Sequence, residues 1–234
     1  RRVLFRSPSR LGLPEELEAT LFSSKDLTPC VACLSVAPTG EVYAGIDQIG
    51  SLGKGAGFGR ILRLTDQDND GVSDSHTIYA EIDNPRGMIS VGDKLYVLHT
   101  KWADEKNFDG MFLSVLEDKN GDGKADGPPK HLVKEISTRK YNQSRGVDHT
   151  TNGIRMGIDG WIYVAVGDFG FVNATGTDGT KLTMYGGGII RVRPDGTEME
   201  AFAHGLRNIY DVAIDPCMNV FTRGNTNDGG GWNM

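Results

Sequence analysis

Residues His149 to Asp168 read HTTNGIRMGIDGWIYVAVGD and contain the most regular strand pattern of the chain. Asp159-Gly160 is typical of a tight turn, and Trp161–Val166 alternates as a half-buried strand does. A strand holds its flanking residues more rigidly than a loop does, so we expect His149 and Asp168 to be kept in a fixed relation. One is a potential proton acceptor and the other a potential carboxylate partner. The stretch therefore predicts a β-structured unit that carries chemistry.

Three further segments repeat this strand–turn–strand pattern at intervals of roughly 50 to 70 residues, and recurrence of one unit along the chain indicates a repeat architecture. The four copies are Cys33–Ile46, Gly87–His99, Asn152–Gly167 and Tyr210–Thr222. Between them lie further strands that begin with glycine, at Gly59–Leu64, Gly110–Leu116 and Gly188–Arg193. Two hairpins per period give four strands per repeat, which is typical of a propeller blade. We predict an all-β chain: a β-propeller of four-stranded blades, present as an incomplete fragment of about four blades.

Composition and charge exclude several classes of protein. Hydrophobic residues make up 38% of the 234, and no run approaches the ~18 consecutive apolar residues of a membrane span. The net charge of −6 argues against a nucleic-acid surface, because phosphate binding requires a basic patch. Residues 1–7 are interpreted as non-native sequence, residues 8–29 as a lead-in segment, and residues 30–234 as a partial propeller truncated at its C-terminus.

Two acidic loops share the spacing D-x-[DN]-x-D-G-x-x-D. Their oxygen-bearing residues are Asp66, Asp68, Asp70 and Asp74 in the first loop, and Asp118, Asn120, Asp122 and Asp126 in the second. Alternate oxygen side chains with a glycine at the bend suit Ca²⁺. Neither loop is an EF-hand, because Thr77 and Pro129 stand where the twelfth-position glutamate belongs. The alternative is a solvent-exposed hairpin whose Asp and Asn residues favour the turn without an ion.

The motifs around His149 resemble the soluble glucose/sorbosone dehydrogenase family. The resemblance rests on H-x-x-N at His149, on GIDGWIYVAVGDFG, and on His204-Gly-Leu-Arg-Asn208 further along the chain. The acidic hairpins are similar to those of the large membrane-bound dehydrogenase-like proteins of planctomycetes and verrucomicrobia. The resemblance implies a six-bladed propeller that uses pyrroloquinoline quinone (PQQ) and Ca²⁺, acts on a sugar or alcohol, and is periplasmic or secreted. It also implies a c-type cytochrome domain or protein as a possible electron acceptor.

The resemblance assigns three catalytic residues. His149 matches the general base that takes the proton of the substrate hydroxyl, a task suited to a side chain that titrates near neutrality. Asp168 matches the carboxylate that orients the imidazole. Arg207 matches the cation that stabilises negative charge on the quinone oxygens.

The cofactor residues implied by the resemblance are Arg207, Asn208 and, by a less specific match, Gln48. Asp228, in the loop that begins at Asn225, matches the calcium ligand beside the cofactor.

Each assignment has an alternative. His149 could be a loop histidine whose hydrogen bonds are satisfied, Asp168 could cap a turn, and Arg207 with Asn208 could tie blades together. The remaining histidines His76, His99 and His131 lack a paired motif and are interpreted as structural.

The chain thus has three candidate functions: a quinoprotein dehydrogenase, a non-catalytic docking propeller within a larger electron-transfer or carbohydrate-processing protein, and a calcium-dependent hydrolase resembling a lactonase. Propellers host many functions, so the fold alone cannot decide among these three. The dehydrogenase is favoured if one end of the propeller brings together His149, Asp168, Arg207 and Asn208.

Overall fold

The computed structural model describes residues 12–225, so the predicted non-native residues 1–7 lie outside it. The first blade consists of β1 (Val31–Val36), β2 (Val42–Asp47), β3 (Gly59–Thr65) and β4 (Ser75–Glu81). The second consists of β5 (Asp83–Val91), β6 (Lys94–Trp102), β7 (Phe108–Glu117) and β8 (Lys130–Lys134), and a short helix α1 (Arg139–Arg145) follows it. After these come β9 (Thr151–Met156), β10 (Ile162–Val166), β11 (Phe171–Gly176), β12 (Lys181–Met184), β13 (Gly187–Val192), β14 (Glu200–Leu206), β15 (Val212–Ile214) and β16 (Val220–Thr222).

The third blade is built from β9, β10, β13 and β14, and the pair β15–β16 begins a fourth. The described residues thus contain three complete blades and one further hairpin, and the predicted all-β propeller fold is confirmed. The hairpin β11–β12 was not predicted. It interrupts the third blade and extends the second, where Thr175 and Gly176 pair with Lys134 and Val133 of β8.

The hydrophobic core lies between the blades, and β10 shows how it forms. Ile162, Val164 and Val166 pack toward the second blade, whereas Tyr163 and Ala165 pack toward β15. The prediction of a half-buried strand is therefore wrong: all five residues of β10 are buried. The alternation is real, but both faces of the strand meet another blade instead of one face meeting water.

The open face of the first blade is covered by the lead-in segment. Phe22 and Leu27 pack on a buried cluster of β2 and β3, whose members are Ala44, Ile46, Leu62 and Leu64. The backbone N–H of Ser73 also donates to the carbonyl of Phe22 (2.9 Å). This segment therefore protects apolar surface that would otherwise face solvent.

The innermost strands β1, β5, β9 and β15 all begin at the same end of the propeller, which we name the upper end. The N–H of Ser90 donates to Oγ of Ser35 (3.0 Å), and the N–H of Gly153 donates to the carbonyl of Tyr210 (2.9 Å), so neighbouring innermost strands run in the same direction. Because consecutive strands within a blade are antiparallel, β2, β10 and β14 end there. The two acidic loops, between β3 and β4 and between β7 and β8, lie at the opposite, lower end.

Candidate functional site

His149 and Asp168 meet at the open end of one hairpin. His149 lies two residues before β9 and Asp168 two residues after β10, so it is a pair of strands that brings them together, not the single strand considered from the sequence. The N–H of Phe169 donates to the carbonyl of His149 (3.1 Å) and closes the junction. A Cβ on Gly167 would lie 2.4 Å from that carbonyl oxygen, so glycine is required for the close approach.

The imidazole is oriented by carboxylates on both sides. Nδ1 of His149 is hydrogen-bonded to Oδ1 of Asp168, as the sequence predicted. On the other side, Nε2 lies 3.2 Å from Oδ2 of Asp148, a carboxylate that also receives a hydrogen bond from Arg145 (2.6 Å). The ring stacks on Phe169, with centroids 5.5 Å apart. Asp148 and Phe169 are site residues that the sequence analysis missed, although each is adjacent in sequence to one of the pair.

Arg207 approaches the same carboxylate from the end of β14. Its Nε lies 4.0 Å from Oδ2 of Asp168, and its Nη1 donates to the carbonyl of Asn225 (3.3 Å). The side chains of His149, Asp168 and Arg207 are 13%, 28% and 19% exposed, respectively. The structure therefore brings the three predicted catalytic residues together at the upper end, each with part of its side chain exposed.

Asn208 follows Arg207 and carries a buried Oδ1 without a hydrogen-bond partner in the described part of the chain. An unpaired buried acceptor costs about 1–3 kcal/mol, so it is a position where a ligand donor would be stabilising. A ligand N–H or O–H would satisfy this acceptor, and the Arg207 guanidinium would pair with an anionic oxygen of the same ligand.

The predicted position of Gln48 is not supported by a contact. The loop after β2 does approach the segment before His149, because the N–H of Val147 donates to the carbonyl of Ser51 (2.7 Å). Gln48 itself is exposed, and between residues 12 and 225 no hydrogen bond or ion pair joins its side chain to His149, Asp168 or Arg207. Asp228, the predicted calcium ligand, lies outside the described residues.

The acidic loops are remote from this site, at the lower end. In the first loop the carboxylates of Asp66, Asp68 and Asp74 lie within 4.8 Å of one another. Within residues 12–225 this is the one such group of His, Cys, Asp and Glu side chains close enough to hold a metal ion.

The two loops share one hydrogen-bond pattern. In the first loop, Gly71 N–H donates to Asp66 (2.9 Å). In the second, Gly123 N–H donates to Asp118 (2.9 Å). These bonds would stabilise the loops with or without an ion, so the calcium assignment to Asp70, Asn120, Asp122, Asp126 and their neighbours stays a prediction.

Comparison with known proteins places the chain among propellers. The family described as domain of unknown function DUF7133 matches residues 8–233. No curated protein matches the sequence. In residues 12–225, no helix has the length and hydropathy required to cross a membrane.

Several solved structures share the fold at low sequence identity. The PQQ-bound aldose sugar dehydrogenase of Streptomyces coelicolor is 19% identical (TM-score 0.57), with 86% of this chain and 58% of that chain covered. An oxidoreductase described as a glucose dehydrogenase, from Thermus thermophilus, is 16% identical (TM-score 0.54), with 83% and 58% covered. A gluconolactonase from Xanthomonas campestris is 15% identical (TM-score 0.51), with 82% and 52% covered. The chain thus spans a little over half the length of these propeller proteins.

Proposed function

This chain belongs to the family described as domain of unknown function DUF7133. We propose that it is a quinoprotein-type dehydrogenase that oxidises a sugar or alcohol. One observation carries the proposal: an accessible His149–Asp168 pair with Arg207 beside it, at the upper end of a propeller. The shared fold with the Streptomyces coelicolor dehydrogenase supports it as analogy.

His149 is the proposed general base. Asp168 accepts the hydrogen bond from Nδ1–H, which leaves Nε2 as the nitrogen that accepts the proton of the substrate hydroxyl. The imidazolium that forms would lie between Asp168 and Asp148, and both carboxylates stabilise its charge. Oδ2 of Asp148 lies 3.2 Å from Nε2, so a substrate hydroxyl that donates to Nε2 must displace it, and the ion pair with Arg145 would hold the displaced carboxylate.

Arg207 and Asn208 are the proposed cofactor contacts. PQQ, when bound, would supply the acceptor for the hydride that leaves the substrate carbon. The guanidinium of Arg207 would neutralise anionic oxygens of the ligand, and the orphaned Oδ1 of Asn208 would accept a hydrogen bond from it. Ca²⁺ with Asp228 as a ligand belongs to the same proposal, as do a c-type cytochrome partner and a periplasmic or secreted location.

Dye-coupled turnover tests the proposal. Protein supplied with PQQ and Ca²⁺ is assayed against a panel of aldoses and alcohols, and a matching panel of lactones is assayed for hydrolysis without PQQ. Substrate-dependent dye reduction that requires PQQ is expected. Lactone hydrolysis alone would favour the calcium-dependent hydrolase, and neither activity would favour the docking propeller.

A further inference from the structure

A cavity lies between the first and second blades, away from His149. It has a volume of about 390 Å³ and is lined by Glu81 and Asp83 on one side and by Lys101, His131 and the Pro128-Pro129 pair on the other. Its lining does not include His149, Asp168 or Arg207. The volume falls within the range of small-molecule sites, about 300–1,000 Å³.

A chain of hydrogen bonds leads from the buried sheet to the wall of this cavity. Nδ1 of His99 lies 2.8 Å from the carbonyl oxygen of Thr100, and its Nε2 lies 2.9 Å from Oγ of Ser114. The same Oγ lies 2.8 Å from Nδ1 of His131. His99 and Ser114 are buried, whereas His131 is only partly so.

The carbonyl of Thr100 fixes the donor and the acceptor of each hydrogen bond from His99 to His131. A carbonyl only accepts, so Nδ1 of His99 carries the hydrogen, and the Nε2 of a neutral His99 is an acceptor. Burial lowers the pKa of His99 to about 4, so it is neutral at pH 7. Ser114 must therefore donate its one hydroxyl hydrogen to His99. Its oxygen then accepts from Nδ1–H of His131.

The consequence is a defined tautomer of His131, with its proton on Nδ1 and a free lone pair on Nε2. Burial, with Lys134 and Lys101 nearby, lowers the pKa of His131 and keeps the ring neutral. Stacking on Phe112, with ring centroids 4.0 Å apart, fixes the plane of the ring. His131 is thus a positioned, uncharged hydrogen-bond acceptor at the cavity wall.

The surrounding groups define what could bind. Glu81 and Asp83 contribute two carboxylates, of which that of Asp83 already accepts hydrogen bonds from the N–H groups of Gly57 (2.8 Å) and Trp102 (3.2 Å). The ammonium of Lys101 is already paired with Asp109 (3.0 Å). An anion would therefore be disfavoured by like charge. Pro128 and Pro129 add apolar surface, against which C–H groups can pack.

We propose that this cavity binds a small, uncharged polyhydroxy compound, one of whose hydroxyl groups donates to Nε2 of His131. The proposal is independent of the function assigned to the His149 site.

The test uses the full chain with ¹⁵N-labelled histidine, observed by NMR and titrated with sorbitol and, as an anionic control, gluconate. His131 is expected in the Nδ1–H tautomer, with a saturable shift of its Nε2 signal for sorbitol and a weaker or absent shift for gluconate. His131→Phe keeps an aromatic ring against Phe112 but removes the acceptor, so sorbitol affinity should fall about two- to tenfold. His76→Phe makes the same change at an exposed histidine outside this cavity and should leave sorbitol affinity unchanged.

Three results would each overturn the proposal: an Nε2–H tautomer of His131, no saturable shift with sorbitol, or sorbitol affinity unchanged in His131→Phe. The tautomer is read on the unsubstituted protein, so the proposal can fail even if the variant does not fold. Ser114→Ala adds a second reading, since loss of its hydroxyl should release His131 from a single tautomer.

Discussion

Two polar groups at the upper end of the propeller differ in what surrounds them. Where the first and second blades meet, Asp47 and Arg86 form a pair at 3.6 Å whose side chains are only 2% and 4% exposed, and Asn84 donates to Asp47 (3.2 Å). At the third blade, His149, Asp168 and Arg207 form a similar cluster of charge that solvent can reach. The first group joins two blades, and the second is the proposed reactive site. Both contain an Asp and an Arg, so the groups differ more in exposure than in residue type.

The largest expected effect comes from removing the proposed base. His149→Ala should lower turnover about 10²- to 10⁴-fold, because a positioned general base contributes about that much. Its free energy of unfolding should fall by about 1–2 kcal/mol, because the ring is mostly buried, stacks on Phe169 and is hydrogen-bonded to Asp168. Steady-state dye reduction and urea unfolding measure the two quantities. Unchanged turnover would put the reactive group elsewhere.

Substitution in the buried Asp47–Arg86 pair should mainly lower the free energy of unfolding, whereas substitution of His149 should mainly lower turnover. Asp47→Ala leaves the buried Arg86 guanidinium without its carboxylate and should cost about 3–5 kcal/mol in the free energy of unfolding. Asp109→Ala, which removes the exposed partner of Lys101, is the matched control and should cost about 0–1 kcal/mol. Equal losses in the two variants would show that burial does not distinguish them.

His99 is a buried histidine, and we expect it to affect the pH dependence of stability, whereas His149 is expected to affect turnover. Burial lowers the pKa of His99 to about 4, so between about pH 6.5 and 4 the unfolded chain binds a proton that the folded chain does not. Stability should therefore fall by about 3 kcal/mol from this group as the pH drops through that window. Urea unfolding at several pH values, compared with His99→Gln, isolates the contribution. A wild-type pH dependence identical to that of the variant would contradict it.

The smallest effect concerns the lower end. If the first acidic loop binds Ca²⁺, the ion at ten times its dissociation constant should add about 1.4 kcal/mol of stability. Asp68→Asn gives the first loop the Asn that the second has at Asn120, and should weaken binding. Calorimetric titration and thermal unfolding measure this. No heat and no change in Tm would leave both loops as ion-free hairpins.

The repeat pattern predicted the fold because each blade carries its own turn residues and apolar alternation. The His149–Asp168 contact was expected from the family resemblance and from a single strand between the two residues, whereas the structure forms it at the open end of the β9–β10 hairpin. The burial of Tyr163 and Ala165 could not be predicted, because alternation does not reveal whether the second face meets water or another blade. The positions of Asp148 and Gln48 depend on how loops fold back, which local sequence does not encode.

The hydrogen-bond chain from His99 through Ser114 to His131 was not predicted, for a related reason. Its members come from β6, β7 and β8, and only strand register brings Ser114 opposite His131. Both histidines lack a sequence motif and were interpreted as structural.

Direct titration of the protein with PQQ, in the presence and absence of Ca²⁺, tests the proposal most directly. It asks whether the upper end holds a cofactor-dependent reactive site formed by His149, Asp168 and Arg207. Saturable binding that requires Ca²⁺ and weakens when Arg207 is changed to Ala is expected. Failure to bind PQQ with Ca²⁺ present would contradict it and would leave a propeller that holds something else.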